Sequence, residues 1–192
     1  MDNFAGHNLH FETERLRLRP FEETDFDLAL PFYGDADFLG AMEGQPPDEP
    51  VTANYLRRAG KAMAKQGFLF AIVEKASGRT IGEACLQWMN LERAKSTNEK
   101  TMRMPIGIWD KLLWGRGYGK EVVRCLTAFA FEELFIDRLC AMDVSADNYR
   151  SAALWRSCGM VVSRELENGN TLDFEITRRR YESVRQSETF MR

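Results

Sequence analysis

The sequence predicts one α/β domain, and three stretches carry that prediction. Met102 to Trp109 reads as a strand and Glu121 to Phe135 as an amphipathic helix, joined through the glycine-rich turn Trp114-Gly115-Arg116-Gly117-Tyr118-Gly119-Lys120. Leu139 to Val144 then reads as a second strand, followed by a helix with Asn148 or Asp147 as its cap and Gly159 as its left-handed stop. Turn residues at Ser77-Gly78 and Asn168-Gly169 separate paired strand-like runs: Phe68 to Glu74 with Thr80 to Met89, and Val161 to Leu166 with Thr171 to Thr177.

The remaining elements follow in chain order. Arg15-Leu16-Arg17-Leu18-Arg19 alternates as a strand with one wet face, and Pro20 ends it. Glu22 to Tyr33 reads as a short capped helix, and Gly44 to Pro50 as a loop. Thr52 caps a helix running to about Gln66. Asn90 to Lys100 is polar and without periodicity, which predicts a long excursion before the next strand. Val122, Leu126, Phe129, Ala130 and Leu134 form the apolar stripe of the central helix. The last dozen residues are polar and are expected to fray, and the N-terminus is expected to be loose.

A glycine-rich turn between a strand and a helix presents several backbone N–H groups at the positive end of the helix dipole, a site suited to phosphate or pyrophosphate. Its spacing here is G-x-G-x-G, not the G-x-G-x-x-G of a dinucleotide fold. Glu121, rather than Ser or Thr, follows Gly119-Lys120, so it is not a P-loop either. Taken alone, the turn is better explained by glycine relieving positive φ with no ligand at all.

The order of the motifs says more. Trp114-x-x-Gly117-x-Gly119 opens one helix; Asn148-x-x-Ser151 opens the next, which closes on Gly159-Met160. This arrangement resembles the GNAT superfamily of acyl-CoA-dependent N-acyltransferases. Glu12-Thr13-Glu14-Arg15-Leu16-Arg17-Leu18-Arg19-Pro20-Phe21 is similar to the opening of the branch that contains the ribosomal-protein N-terminal (alanine/serine) acetyltransferases. The resemblance runs from about Thr13 to Tyr181. It implies a single domain over residues 1–192 with its core at about 13–181. The implied sheet is mixed, mostly antiparallel and twisted, of about six or seven strands flanked by about four helices, with a splay between the fourth and fifth strands.

The resemblance also implies chemistry: transfer of acetyl from acetyl-CoA to a primary amine by direct attack in a ternary complex. Backbone groups near Ile106, Gly107 and Ile108 would hold the pantetheine arm like an added strand, although Pro105 has no N–H to give. The amides from Gly115 to Lys120 would hold pyrophosphate, with Trp114, Arg116, Tyr118 and Lys120 around it. Asn148 would contact the pantetheine or hold the neighbouring strand open. A strand N–H at Gly107 or Ile108 is the expected oxyanion donor. Trp155, counted with the residues that bind the co-substrate, falls where many members carry a Tyr proposed to protonate the departing thiolate. An indole N–H donates a hydrogen bond but is no proton-transfer acid; Ser151 is the substitute that the resemblance implies, with a plain helix-start serine as the alternative reading. Asp110, just after the fourth strand, is the expected base through water, with Glu83 and Asp143 as alternatives. Tyr33, Phe38, Met42, Trp88 and Trp109 form a candidate apolar wall on the acceptor side, with the loops at 44–52 and 90–100.

Composition agrees and excludes other classes. The only histidines are His7 and His10, so a histidine base, a Ser-His-Asp triad or a histidine metal site is not expected; the reading calls for no metal. Cys85, Cys125, Cys140 and Cys158 are scattered in apolar settings and read as reduced thiols of a cytoplasmic protein. No apolar run reaches the ~18 residues of a membrane span, and nothing points to nucleic acid. The net charge of −3 conceals an asymmetry, with twelve acids and three bases in residues 1–50 and a basic remainder. An acidic front suits a cationic amine acceptor, and a basic remainder a phosphorylated co-substrate. The acceptor is a small molecule or a protein N-terminus, and the protein a monomer or homodimer. A non-catalytic acyl-CoA-binding module is the alternative reading, and a nucleotide-binding protein the next.

Overall fold

A computed structural model describes residues 4–43, 51–90, 98–166 and 169–190. The strands in chain order are β1 (Phe11–Glu12), β2 (Leu16–Pro20), β3 (Gly67–Glu74), β4 (Thr80–Trp88), β5 (Thr101–Arg103), β6 (Ile106–Ile108), β7 (Arg138–Ser145), β8 (Val161–Leu166) and β9 (Thr171–Thr177). The helices are α1 (Asp25–Tyr33), α2 (Ala36–Glu43), α3 (Ala53–Gln66), α4 (Tyr118–Glu132), α5 (Tyr149–Ser157) and α6 (Arg178–Phe190). One sheet runs β1-β2-β3-β4-β5-β7-β9-β8, with β6 paired to β4; only β5 and β7 run parallel. The fold class is the expected one. The described residues hold nine strands where six or seven were expected, partly because the expected strand Met102–Trp109 is cut in two at Met104–Pro105. They also hold six helices, where four were expected.

Strand alternation divides the core between the two faces of the sheet. Phe70 and Ile72 of β3 and Ala84 and Leu86 of β4 join Leu126, Phe131 and Trp155 in one cluster, under α4 and α5. Leu69, Ala71 and Cys85 join Phe26, Ala29, Leu56 and Trp109 in the other, under α1 and α3.

Two local features part the sheet at its middle. The Met104 N–H donates to Cys140 O at 2.9 Å, and Pro105 then has no N–H to continue the ladder toward β7. On the facing strand the β7–β9 register shifts between Ala141 and Val144, with Asp143 in the left-handed region at φ 57°. The buried Asp173 carboxylate accepts the Asp143 N–H at 2.9 Å and holds this bulge. From there β6 stays with β4 and β7 stays with β9, which opens the expected splay.

The chain ends differ from expectation. His7 packs its ring on Phe68 and Phe70, donates from Nε2 to Leu69 O at 3.1 Å and accepts the Leu9 N–H on Nδ1. The C-terminal stretch forms α6, held through Tyr181 stacked on Phe131 and Arg178 donating to the carbonyls of Phe131 and Ile136. Most of the 44–50 and 90–100 loops lies outside the described residues, as does the Met42 side chain.

Candidate active site

The turn between β6 and α4 is built by short-range chemistry. Asp110 Oδ1 accepts the Leu112 N–H at 2.9 Å and starts a 3-10 turn, Lys111–Leu113. Trp114 N–H closes that turn on Lys111 O, while its indole N–H donates to Ile108 O at 2.6 Å. The side chain expected to border pyrophosphate therefore also ties the loop to the end of β6. Gly115 and Gly117 follow at φ 75° and 85°, conformations that cost little only for glycine. Gly117 caps α4, whose first bond is Glu121 N–H to Gly117 O at 3.1 Å. The N–H groups of Tyr118, Gly119 and Lys120 therefore have no acceptor within the helix. A Cβ at Gly119 would stand 3.3 Å from Leu154 Cδ2, so glycine lets α4 and α5 approach.

Glu121 anchors the turn from behind. Its carboxylate accepts from Thr13 Oγ1, Arg15 N and Arg15 Nε. Arg15 in turn donates to Arg116 O at 2.9 Å and lies over the Tyr118 ring, whose hydroxyl bonds Glu74. Tyr118 lines the cleft with its hydroxyl engaged by Glu74.

An open cleft of about 520 Å³ runs along this turn, lined by Ile106, Gly107, Ile108, Gly115, Gly117, Gly119, Lys120, Asn148 and Ser151 among others. Ile106, Asn148 and Ser151 also line a smaller cavity of about 110 Å³ in the splay, where Pro105 and Ile106 face Ala141 to Val144 beside Trp155.

The ladder between β4 and β6 decides which backbone groups face the splay. Cys85 N–H donates to Pro105 O and Trp109 N–H to Ile81 O, both at 2.9 Å, and Glu83 pairs with Gly107 between them. Antiparallel alternation then turns the N–H and C=O of Gly107 toward β4 and those of Ile106 and Ile108 away from it. Gly107 is thereby removed as an oxyanion donor, whereas Ile108 N–H is available. Ile108 O is taken by the Trp114 indole, which leaves the Ile106 N–H and C=O and the Ile108 N–H along the edge. Such an edge, next to unpaired helix amides, fits an amide-bearing arm that ends in a pyrophosphate.

Across the splay, α5 presents its N-terminus. Asn148 Oδ1 caps the Ser151 N–H at 3.0 Å, and Ser151 Oγ accepts the Trp155 indole N–H at 3.0 Å.

Residues 15–161 match the family model described as the acetyltransferase (GNAT) domain. The chain belongs to this family. Solved GNAT structures share its fold. An acetyltransferase from Bacillus anthracis superposes with a TM-score of 0.70 at 17% identity, over 89% of this chain and 99% of that one. Spermidine N-acetyltransferase from Vibrio cholerae, in complex with CoA and spermine, gives 0.69 at 17%, over 88% and 99%. Ribosomal-protein-S5-alanine acetyltransferase from Vibrio fischeri gives 0.69 at 16%, over 89% and 97%.

The remaining GNAT-site expectations separate in the structure. Arg116 does not line the cleft, although the glycines and Lys120 around it do, and Asp110 caps the 3-10 turn outside it. Glu83 is buried behind α1. Tyr33 donates to its Oε1 at 2.6 Å and the Trp109 indole donates to Oε2. Burial pushes its carboxyl up to about 7; the two hydrogen bonds act against the rise and nearby Asp25 adds to it. Asp143 lines the splay at the bulge. The expected apolar wall forms in part. Tyr33, Phe38 and Trp109 pack in one cluster, with the Tyr33 and Phe38 rings 5.2 Å apart; Phe38 lines the cleft, and Trp88 packs in the cluster on the opposite face. Arg150, not singled out in the sequence, lines the cleft with its guanidinium 5.5 Å from the Trp114 ring centre. Its signal was a base in the first turn of α5, where a helix ordinarily prefers an acid.

Proposed function

We propose that the protein transfers acetyl from acetyl-CoA to a primary amine by direct attack in a ternary complex. One observation carries the reading: the splay places the Ile106 and Ile108 edge of β6, the glycine turn and the Ser151 end of α5 along one continuous cleft. In this reading the free amides at Tyr118 to Lys120, with Lys120, hold the pyrophosphate, while the Ile106 edge and Asn148 hold the pantetheine.

Attack forms the N–C bond, and carbonyl π electrons move onto oxygen, where Ile108 N–H donates. As the C–S bond breaks, its electron pair passes to sulfur, and Ser151 gives the proton that makes the thiol. The proton released by the acylated nitrogen returns through solvent to the serine oxygen, so amine and thioester become amide and thiol. Before attack the ammonium form of the amine must lose a proton; Asp110, through water, is the proposed base for it, with Glu83 and Asp143 as competitors. The pH profiles of D110N, E83Q and D143N distinguish them, because only the base's loss removes the acidic limb of kcat/KM.

Spermidine is the named substrate of one structural neighbour and a ribosomal-protein alanine that of another, so both amine classes belong in the test. The branch reading from the N-terminal motif favours the protein N-terminus, and the acidic front segment suits either. Thiol release from acetyl-CoA is expected with at least one amine of a panel covering polyamines, amino acids, aminoglycosides and alanine- or serine-initiated peptides. Thermal stabilisation by CoA with no release on any amine would instead support an acyl-CoA-binding module.

A further inference from the structure

We infer that Trp155 is a positioning residue that fixes the Ser151 hydroxyl with its proton directed into the splay, an inference that rests on the proposed role of Ser151. Trp155 is 3% exposed, and a buried indole N–H needs an acceptor. That acceptor is Ser151 Oγ, one helical turn earlier at 3.0 Å. A hydroxyl has one proton and two acceptor sites. Accepting from the indole turns its proton away from Trp155.

The usual alternative for a helical serine is to return its proton to the carbonyl three or four residues back. Among the described residues Ser151 Oγ bonds neither of those carbonyls; Asp147 O accepts from Tyr149 N–H and Asn148 O from Ala152 N–H, both at 3.0 Å, and the hydroxyl takes the indole N–H. The Ser151 backbone is itself pinned by Asn148 Oδ1, so the hydroxyl rotor is the remaining freedom, and the indole sets it. Both side chains line the cavity between β6 and β7, which is where the proton is directed. The same N–H stabilises the serine oxygen as its proton leaves, by polarisation along the hydrogen-bond chain. The indole proton stays on nitrogen throughout.

The test compares W155F, S151A and the double variant in steady-state turnover with the panel's best amine. W155F keeps a ring and removes the N–H. It is expected to lower kcat about tenfold, the order of one hydrogen bond, with KM for acetyl-CoA nearly unchanged. Because Trp155 acts through Ser151, the double variant should be no slower than S151A. If the two losses multiply, or if W155F acts on KM alone, the positioning role is overturned while Ser151 keeps its own. If S151A turns over at the wild-type rate, the reading of Ser151 fails first. A second measurement does not need W155F to fold. With the four tryptophans 15N-labelled, the Trp155 indole resonance should move in S151A, and an unmoved signal would overturn the contact.

Discussion

Glu83→Gln is expected to stabilise the protein at mildly alkaline pH and to leave it nearly unchanged at about pH 4. The native carboxyl titrates at about 7 instead of 4.5, chiefly because it is buried. Between those values the folded protein keeps a proton that the unfolded chain has lost, so wild-type stability falls as pH rises through the window. A rise of about 2.5 units at 1.36 kcal/mol each amounts to about 3 kcal/mol by pH 8. An amide cannot ionise, and it can keep both contacts. Its oxygen accepts from the Trp109 indole, and its NH2 donates to the Tyr33 oxygen once that hydroxyl rotates. The assay is urea unfolding at several pH values from about 4 to 8, followed by tryptophan fluorescence and read as the difference between variant and wild type. His7, whose pKa is lowered by burial, contributes to both proteins and cancels. The difference should grow from near zero to about 3 kcal/mol with rising pH. Parallel curves for the two proteins would refute the reasoning, because Glu83 would then titrate alike in the folded and unfolded chains.

Three further outcomes follow from named contacts. Gly117→Ala places a Cβ at φ 85°, 3.3 Å from Arg15 Nη2; it should cost about 1 kcal/mol and abolish the thermal shift produced by CoA. Asn148→Ala removes the cap on Ser151 N–H and should lower unfolding free energy by about 1 kcal/mol in a urea titration. Asp25→Asn breaks a bidentate pair in which both Arg19 contacts are 2.7 Å and Asp25 is 1% exposed; a loss of about 3 kcal/mol is expected, and a change within error would show that solvent already screens the pair.

Much of the cleft was legible because it is written in short-range chemistry. The glycines at 115 and 117, the cap at Asn148 and the stop at Gly159 each satisfy a local backbone need, whereas Gly119 makes room for Leu154 of the next helix. α6 was not legible, because it is polar along its length and is held by a few long-range contacts. Tyr181 finds Phe131, and Arg180 finds Gly159 O at 2.6 Å. The strand Met102–Trp109 was placed correctly in the chain, but its break shows only when Pro105 meets β4 on one side and loses β7 on the other.

The sequence by itself determined the family, the order of the motifs and the backbone chemistry of the glycine turn, since spacing and residue type survive without coordinates. Only the tertiary structure decided which groups meet. Ladder parity gives Gly107 to β4 and leaves Ile108 N–H at the splay; the Trp114 indole takes Ile108 O; and the Trp155 indole takes Ser151. Burial between α1 and β6, not the identity of a glutamate, raises the proton affinity of Glu83. The physical reason is the same in each case. Hydrogen-bond direction and desolvation depend on neighbours distant in sequence, and one strand's register fixes them together.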